Sequence, residues 1–194
     1  MSDRSAKDAG NRGATIQRRL REVVAGLRGV VRFHAPLADY TSFRIGGPAD
    51  VLVEPADVED LVHLVTQVSA RKLPIFVLGG TNVLVRDKGI RGVVVSLAQL
   101  RSIKEEPGSV LYAEGGVGMP TLIGYAIRRS LAVLEWAAGI PGTVAGCVVM
   151  NAGTRLGEMK DSVKAVRIVT PTGAVLDCPA RDIVFGYRRA ELPA

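Results

Sequence analysis

Between Gly139 and Gly153 the chain reads GIPGTVAGCVVMNAG, and no other stretch limits its possible folds so sharply. Four glycines and one proline surround a short apolar run. The backbone must turn tightly, bring several N–H groups close together and then enter something buried. Glycine leaves no Cβ to hold a ligand away from the main chain, and amides that open a helix favour anions, so the segment suits phosphate groups. The plainer alternative is a tight loop between two core elements, because glycine clusters commonly mark turns.

Length and charge narrow the setting. The 194 residues, 47% of them hydrophobic, can fill one sizeable domain or two small subdomains. The net charge of +6 comes from scattered basic residues, densest near the N-terminus, with no basic stripe interleaved with aromatics. Nucleic acid is therefore not expected as a partner, and an anionic small molecule accounts for the charge as well. Cys147 and Cys178 lack close spacing, and His34 and His63 stand alone. Neither a disulfide framework nor a metal site is expected. No apolar run approaches the length needed to cross a bilayer and the N-terminus is polar, which predicts a cytoplasmic protein with no membrane partner.

In chain order, residues Met1 to Gly13 are polar and predicted to be disordered. Ile16, Leu20, Val23, Val24 and Leu27 recur at helical spacing beside Arg18, Arg19, Arg21 and Arg28. This predicts an amphipathic basic helix ended by Gly29 and packed on the domain. Val51–Val53 reads as a strand. Asp57 can cap a helix from Val58 to about Ala70, with Leu61, Val62, Val65 and Val68 on its apolar side, and Pro74–Leu78 reads as a buried strand. After Gly79-Gly80-Thr81-Asn82, Val83–Val85 and Val93–Ser96 are predicted to continue the sheet around a turn at Asp87–Gly89. A similar segment follows: a strand over Val110–Glu114, a glycine loop over Gly115–Gly118, and a helix opened by Pro120 and running to about Arg129. Val144–Met150 is placed on a short buried helix. Val166–Thr170 and Val175–Cys178 form a hairpin around Pro171-Thr172-Gly173. The implied organisation is a tail and helix over 1–35, one lobe over 36–100 and a second over 101–194. A ligand is expected at the junction, where clefts preferentially form.

The common phosphate-binding motifs are absent. There is no G-x-x-x-x-G-K-[ST], and Gly116 and Gly118 are followed by Thr121 where G-x-G-x-x-G needs its third glycine. The loop Gly79–Asn82 could still cradle a pyrophosphate through successive N–H groups and the Thr81 hydroxyl, or serve as a plain strand-to-strand turn.

The focal segment with Glu158-Met159-Lys160-Asp161, together with Thr41–Asp50 (TSFRIGGPAD), Gly79–Asn82 and Phe185-Gly186-Tyr187-Arg188, resembles the UDP-N-acetylenolpyruvoylglucosamine reductase family. The resemblance implies an α+β fold, the two-lobed FAD-binding domain of the vanillyl-alcohol-oxidase (PCMH-type) group. It also implies non-covalent FAD, with NADPH as hydride donor, and reduction of UDP-N-acetylglucosamine enolpyruvate to UDP-N-acetylmuramate for peptidoglycan. On that basis Gly79, Gly80, Thr81 and Asn82 would hold the FAD diphosphate. Pro141, Gly142, Thr143, Gly146, Met150, Asn151, Ala152 and Gly153 would line the flavin and its ribityl chain. Arg44 would border the flavin, or else be an exposed strand cation. Arg188 would be catalytic, placed by the substrate carboxylate with Tyr187 beside it, or else be one surface charge among several.

Some residues depart from the family pattern. In the first loop either Leu78 replaces the family's usual first glycine or one residue is missing; Ala145 stands where a glycine is usual, and Ala190 where a serine commonly follows the Tyr-Arg pair. The family also continues into a substrate-binding domain with a catalytic serine and a glutamate, and neither Ser130 nor Ser162 lies in a matching motif. The domain is expected to be absent. The alternative is an FAD-binding module, or another flavin oxidoreductase of this fold, without that activity.

Overall fold

The computed structural model describes residues 15–79, 81–132 and 134–193. The expectations for Met1–Gly13 and for Gly80 fall outside the described residues.

The first half of the chain is built on a four-stranded sheet in the order β1-β2-β4-β3, from β1 (Val30–Phe33), β2 (Ala49–Glu54), β3 (Ile75–Val77) and β4 (Ile90–Val95). β1 runs antiparallel to β2, while β2 and β3 both run parallel to β4. Alternation along the two central strands divides the core in two. Val51, Val53, Val93 and Val95 face a layer made by Leu20 and Val23 of the helix over 15–23 (α1) and Leu64 and Val68 of α2 (Val58–Ala70). Leu52 and Val94 point the other way, onto Leu37, Leu78 and Val85. Both faces are covered, which is why these strands read as unbroken apolar runs.

α2 begins where the sequence places it. Asp57 accepts a hydrogen bond from the amide of Asp60, closing the first turn. Its most buried positions are Asp60, Leu64 and Val68, at spacings of four; of the expected row, Val68 is buried and Leu61 packs at the edge of the same core. Val62 instead turns toward the second half of the chain, where Gly173 packs against Thr66 and Val62. α1 turns out through Gly26 (φ +81), three residues ahead of Gly29.

Two expectations for this sheet fail. Pro74–Leu78 was to be a buried strand, but β3 lies at the sheet edge and Ile75, Phe76 and Val77 are all exposed. Val83–Val85 forms no strand; Val83 and Val85 pack into the core by their side chains alone, and Leu84 points outward.

The second half carries its own core of Val117, Met119, Leu122, Trp136, Ala137, Cys147, Val148, Ala152 and Met159. Around it stand α3 (Met119–Arg128), α4 (Val144–Val149) and antiparallel hairpins. β5 (Ile103–Glu106) pairs with β6 (Val110–Ala113), β7 (Gly153–Thr154) with β8 (Gly157–Glu158), β9 (Ala165–Val169) with β10 (Val175–Pro179), and β11 (Val184–Gly186) with β12 (Arg189–Glu191). β5 is missing from the sequence-based expectation because three of the four residues of IKEE are charged and exposed. Pro120 sits in the first turn of α3, where its missing N–H costs nothing. The halves meet at Gly116, whose amide donates to Leu100 O; a Cβ there would lie 1.8 Å from Leu97 O, so only glycine permits the approach.

Candidate functional site

The fold brings the two glycine loops face to face. The first follows β3: Leu78 donates its amide to Val95 O and is buried in the core, so the free loop begins at Gly79. The amide of Leu78 thus extends the strand pairing by one residue and leaves the loop behind it. The second is the turn into α4. Gly142 takes φ +102, and a Cβ on it would fall 2.8 Å from Thr81 Oγ1. A Cβ on Gly79 would come to 3.8 Å from Gly146 Cα, and Asn82 Nδ2 reaches Met150 Sδ at 3.8 Å. Thr81, Gly142, Gly146 and Met150 are half-buried, while Pro141 and Asn82 are exposed at the rim.

The backbone donors of the two loops have different fates. At the start of α4, Val144 N–H donates to Val117 O (2.8 Å), Ala145 N–H to Gly115 O (3.0 Å) and Gly146 N–H to the capping Thr143 Oγ1 (3.3 Å). These helix-opening amides are bonded within the protein. Among the described residues, by contrast, nothing accepts from the amides of Gly79, Thr81 or Asn82. Successive unpaired amides on one loop form the concavity that binds anions.

Three of the residues expected to line the flavin also make contacts within the protein. Ala152 is buried in the second core and its carbonyl accepts from Met159 N–H. Gly153 packs against Glu158 and Gly157 in the β7–β8 hairpin. Asn151 is 4% exposed at φ +39. Its Nδ2 donates to Glu158 Oε2 (2.7 Å) and Gly186 O (3.2 Å), and its Oδ1 accepts from Lys160 N–H (3.1 Å). Lys160 Nζ also bonds Glu158, and this bond, followed by that from Asn151, holds the Glu158 carboxyl below its usual range.

Arg188 and Tyr187 form the two-residue turn between β11 and β12, with Arg188 at φ +58. Tyr187 is 92% exposed, and the guanidinium lies 5.9 Å from its ring centroid. Ala190 is simply a ladder residue opposite Phe185. Arg44 sits exposed at φ +53 in the turn over Thr41–Gly47, and that turn packs on Val85 and Asp87, downstream of the first loop. No described contact joins Arg44 to either glycine loop. In the sequence, Glu158 and Lys160 carry a resemblance to the family and no assigned role. Their only signal for a role was an asparagine, a residue tolerant of positive φ, seven positions before a glutamate.

Burial raises the Cys147 thiol to about 11. Both cysteines are buried, so a thiol reagent at pH 8 is expected to label neither in the native protein and both after denaturation. Rapid native labelling would show that the second core opens. An open cavity of about 320 Å³ lies elsewhere, between the start of α2 and the β5–β6 hairpin, lined by Asp57, Glu59, Lys104, Glu106, Glu114 and Arg167 among others. None of its residues belongs to the glycine loops.

Fold and site define a mixed α+β domain with two apposed glycine loops, the first of which carries backbone amides that no described residue accepts from. A family model described as FAD binding domain matches residues 49–179, and the chain belongs to that family. It is 40% identical over 171 residues to the UDP-N-acetylenolpyruvoylglucosamine reductase of Caldanaerobacter subterraneus subsp. tengcongensis, an alignment covering 88% of this chain and 56% of that protein. The crystal structure of UDP-N-acetylenolpyruvylglucosamine reductase from Thermus caldophilus superposes with a TM-score of 0.71 at 35% identity, covering 86% of this chain and 58% of that one. The 6-hydroxy-D-nicotine oxidase of Arthrobacter nicotinovorans shares the fold, with a TM-score of 0.63 at 20% identity over 81% of this chain and 37% of its own. The expected fold class is borne out, and the chain spans about half the length of the relatives it matches.

Proposed function

We propose that this chain is the FAD-binding portion of a reductase that uses NADPH to convert UDP-N-acetylglucosamine enolpyruvate to UDP-N-acetylmuramate, a step of peptidoglycan synthesis in a cytoplasmic setting. One observation carries the reading: the apposition of the loop after β3, with the unspent amides of Gly79, Thr81 and Asn82, and the segment 141–150, stripped of side chains at Gly142 and Gly146. The lobes would divide near residue 100, with α1 and β1 part of the first, since Leu20 and Val23 lie in its core.

On this reading Gly79, Thr81 and Asn82 hold the diphosphate of FAD by backbone N–H groups and the Thr81 hydroxyl. Pro141, Gly142, Thr143, Gly146 and Met150 line the flavin side. FAD, when bound, supplies the relay of hydride from NADPH to the enolpyruvyl double bond. Arg188 holds the substrate carboxylate with a planar fork of donors and stabilises the charge that develops there, and Tyr187 fixes the direction of the guanidinium. Asn151, Ala152 and Gly153 hold the loops in place and leave contact with the cofactor to their neighbours.

The test is the visible spectrum of the purified chain after incubation with FAD and desalting. The expected result is a retained flavin band at one equivalent per chain, weakened when Thr81 and Asn82 are both replaced by alanine, which removes the hydroxyl and leaves the backbone donors. A folded protein that stays colourless overturns the proposal.

A further inference from the structure

The two parts of the proposed site lie far apart in sequence, and one side chain ties them together. Asn151 lies in the glycine segment two residues after α4, whereas Arg188 sits on the tip of the β11–β12 hairpin, an exposed two-residue turn. Nδ2 of Asn151 donates to Gly186 O, the last residue of β11, two positions before Arg188. The same amide is held from behind by Glu158 Oε2, and Oδ1 by Lys160 N–H, so the Asn151 side chain has no rotamer to choose. Glu158 is fixed in turn by Lys160 Nζ, and its own amide donates to Asp161 Oδ2. Asn151 itself takes φ +39, a left-handed conformation that asparagine tolerates better than most residues.

We infer that Asn151 is a positioning residue that fastens the Arg188 turn to the flavin-facing loop, so that filling the glycine loops is transmitted to the guanidinium. The fastening follows from the hydrogen bonds alone; the transmission rests on the flavin reading above. A two-stranded hairpin with a polar, exposed tip has little stability of its own. Its tie to α4 therefore sets where Arg188 stands. Aspartate at 151 keeps the size and the tolerance of positive φ but turns the donor into an oxygen facing both Glu158 and the Gly186 carbonyl. Glycine keeps the backbone conformation and removes the side chain altogether.

The test is hydrogen–deuterium exchange of the wild-type chain, Asn151→Asp and Asn151→Gly, each with and without FAD. Without FAD, amides in 184–191 are expected to exchange roughly tenfold faster in both variants, as the loss of one or two hydrogen bonds implies. Exchange in the β9–β10 hairpin should be unchanged, which shows that the variants fold. With FAD, the wild type should be protected at 139–153 and at 184–191, the variants at 139–153 only. Wild-type exchange at 184–191 in both FAD-free variants overturns the fastening. FAD protection that still reaches 184–191 in both variants overturns the transmission. If FAD protects nothing in the wild type, the flavin reading fails and the transmission with it, while the FAD-free comparison still decides the fastening.

Discussion

Asp60→Ala is expected to lower the stability of the chain by about 3 kcal/mol or more, because it strands three backbone donors at once. Asp60 is 3% exposed in the first turn of α2. Oδ1 accepts from Arg28 N–H at 3.0 Å, and Oδ2 from Gly29 N–H at 2.9 Å and Ala56 N–H at 3.0 Å. One carboxylate thereby joins the turn that leads into β1, the loop after β2 and the start of α2. Burial alone would raise its pKa, but the three amides and the nearby Arg28 outweigh it and hold the carboxyl below its ordinary value. A depressed carboxylate contributes stability that is complete above its unfolded pKa, near 4, and disappears as pH falls through the folded value. The wild-type melting temperature should therefore drop on acidification below about pH 4, with part of that slope missing in Asp60→Ala. At neutral pH the variant should melt roughly 10 °C lower, by the usual conversion for a domain of this size. Asp60→Asn should fall between, since its amide can accept from some of these donors but must face another with an N–H. A thermal melt of Asp60→Ala within a degree or two of wild type would show that water replaces the carboxylate.

What the sequence disclosed and what it concealed divide along the range of the interactions. α2 was legible from its first residue because Asp57 caps it by bonding an amide three residues on. The β9–β10 hairpin was legible because its turn is closed locally, with Gly173 and Ala174 both bonding back to Thr170. α4 was legible from Thr143 and the apolar run behind it. The edge position of β3 was not, since Ile75, Phe76 and Val77 have the composition of a central strand and only the strand order leaves them uncovered. The polar strand β5 gave no apolar signal at all. The same division governs the site. The motifs located both glycine loops, but two of the acceptors that take up the α4 amides, Gly115 and Val117, lie about 30 positions earlier in the chain. The partner of Asn151 at Gly186 lies 35 positions later. A residue whose type fits a ligand and whose partners are remote reads as a ligand contact until the fold is known.

Gly142→Ala should reduce FAD affinity at least tenfold, for a reason that two companion variants separate into its parts. At φ +102 any side chain strains the backbone, by about 1–3 kcal/mol. The added Cβ would also lie 2.8 Å from Thr81 Oγ1 and 3.4 Å from Thr81 Cγ2, so the two loops must part. If the loops grip one ligand between them, parting them costs affinity, and each 1.4 kcal/mol is a factor of ten. Gly139 supplies the control for strain: it takes φ +85 but has nothing within 4 Å of a Cβ, so Gly139→Ala should lower the melting temperature by a few degrees and leave FAD affinity near wild type. Thr81→Ala supplies the control for the clash, because it removes both atoms that the new methyl would meet. Alone it should weaken FAD binding by the loss of its hydroxyl; combined with Gly142→Ala it should weaken binding by less than the two single effects added together. That non-additivity, read by titrating FAD against all four combinations, measures the coupling between the loops. Strictly additive effects would mean that Thr81 and Gly142 act on the ligand independently, and an unchanged affinity in Gly142→Ala would remove loop 141–150 from the flavin site.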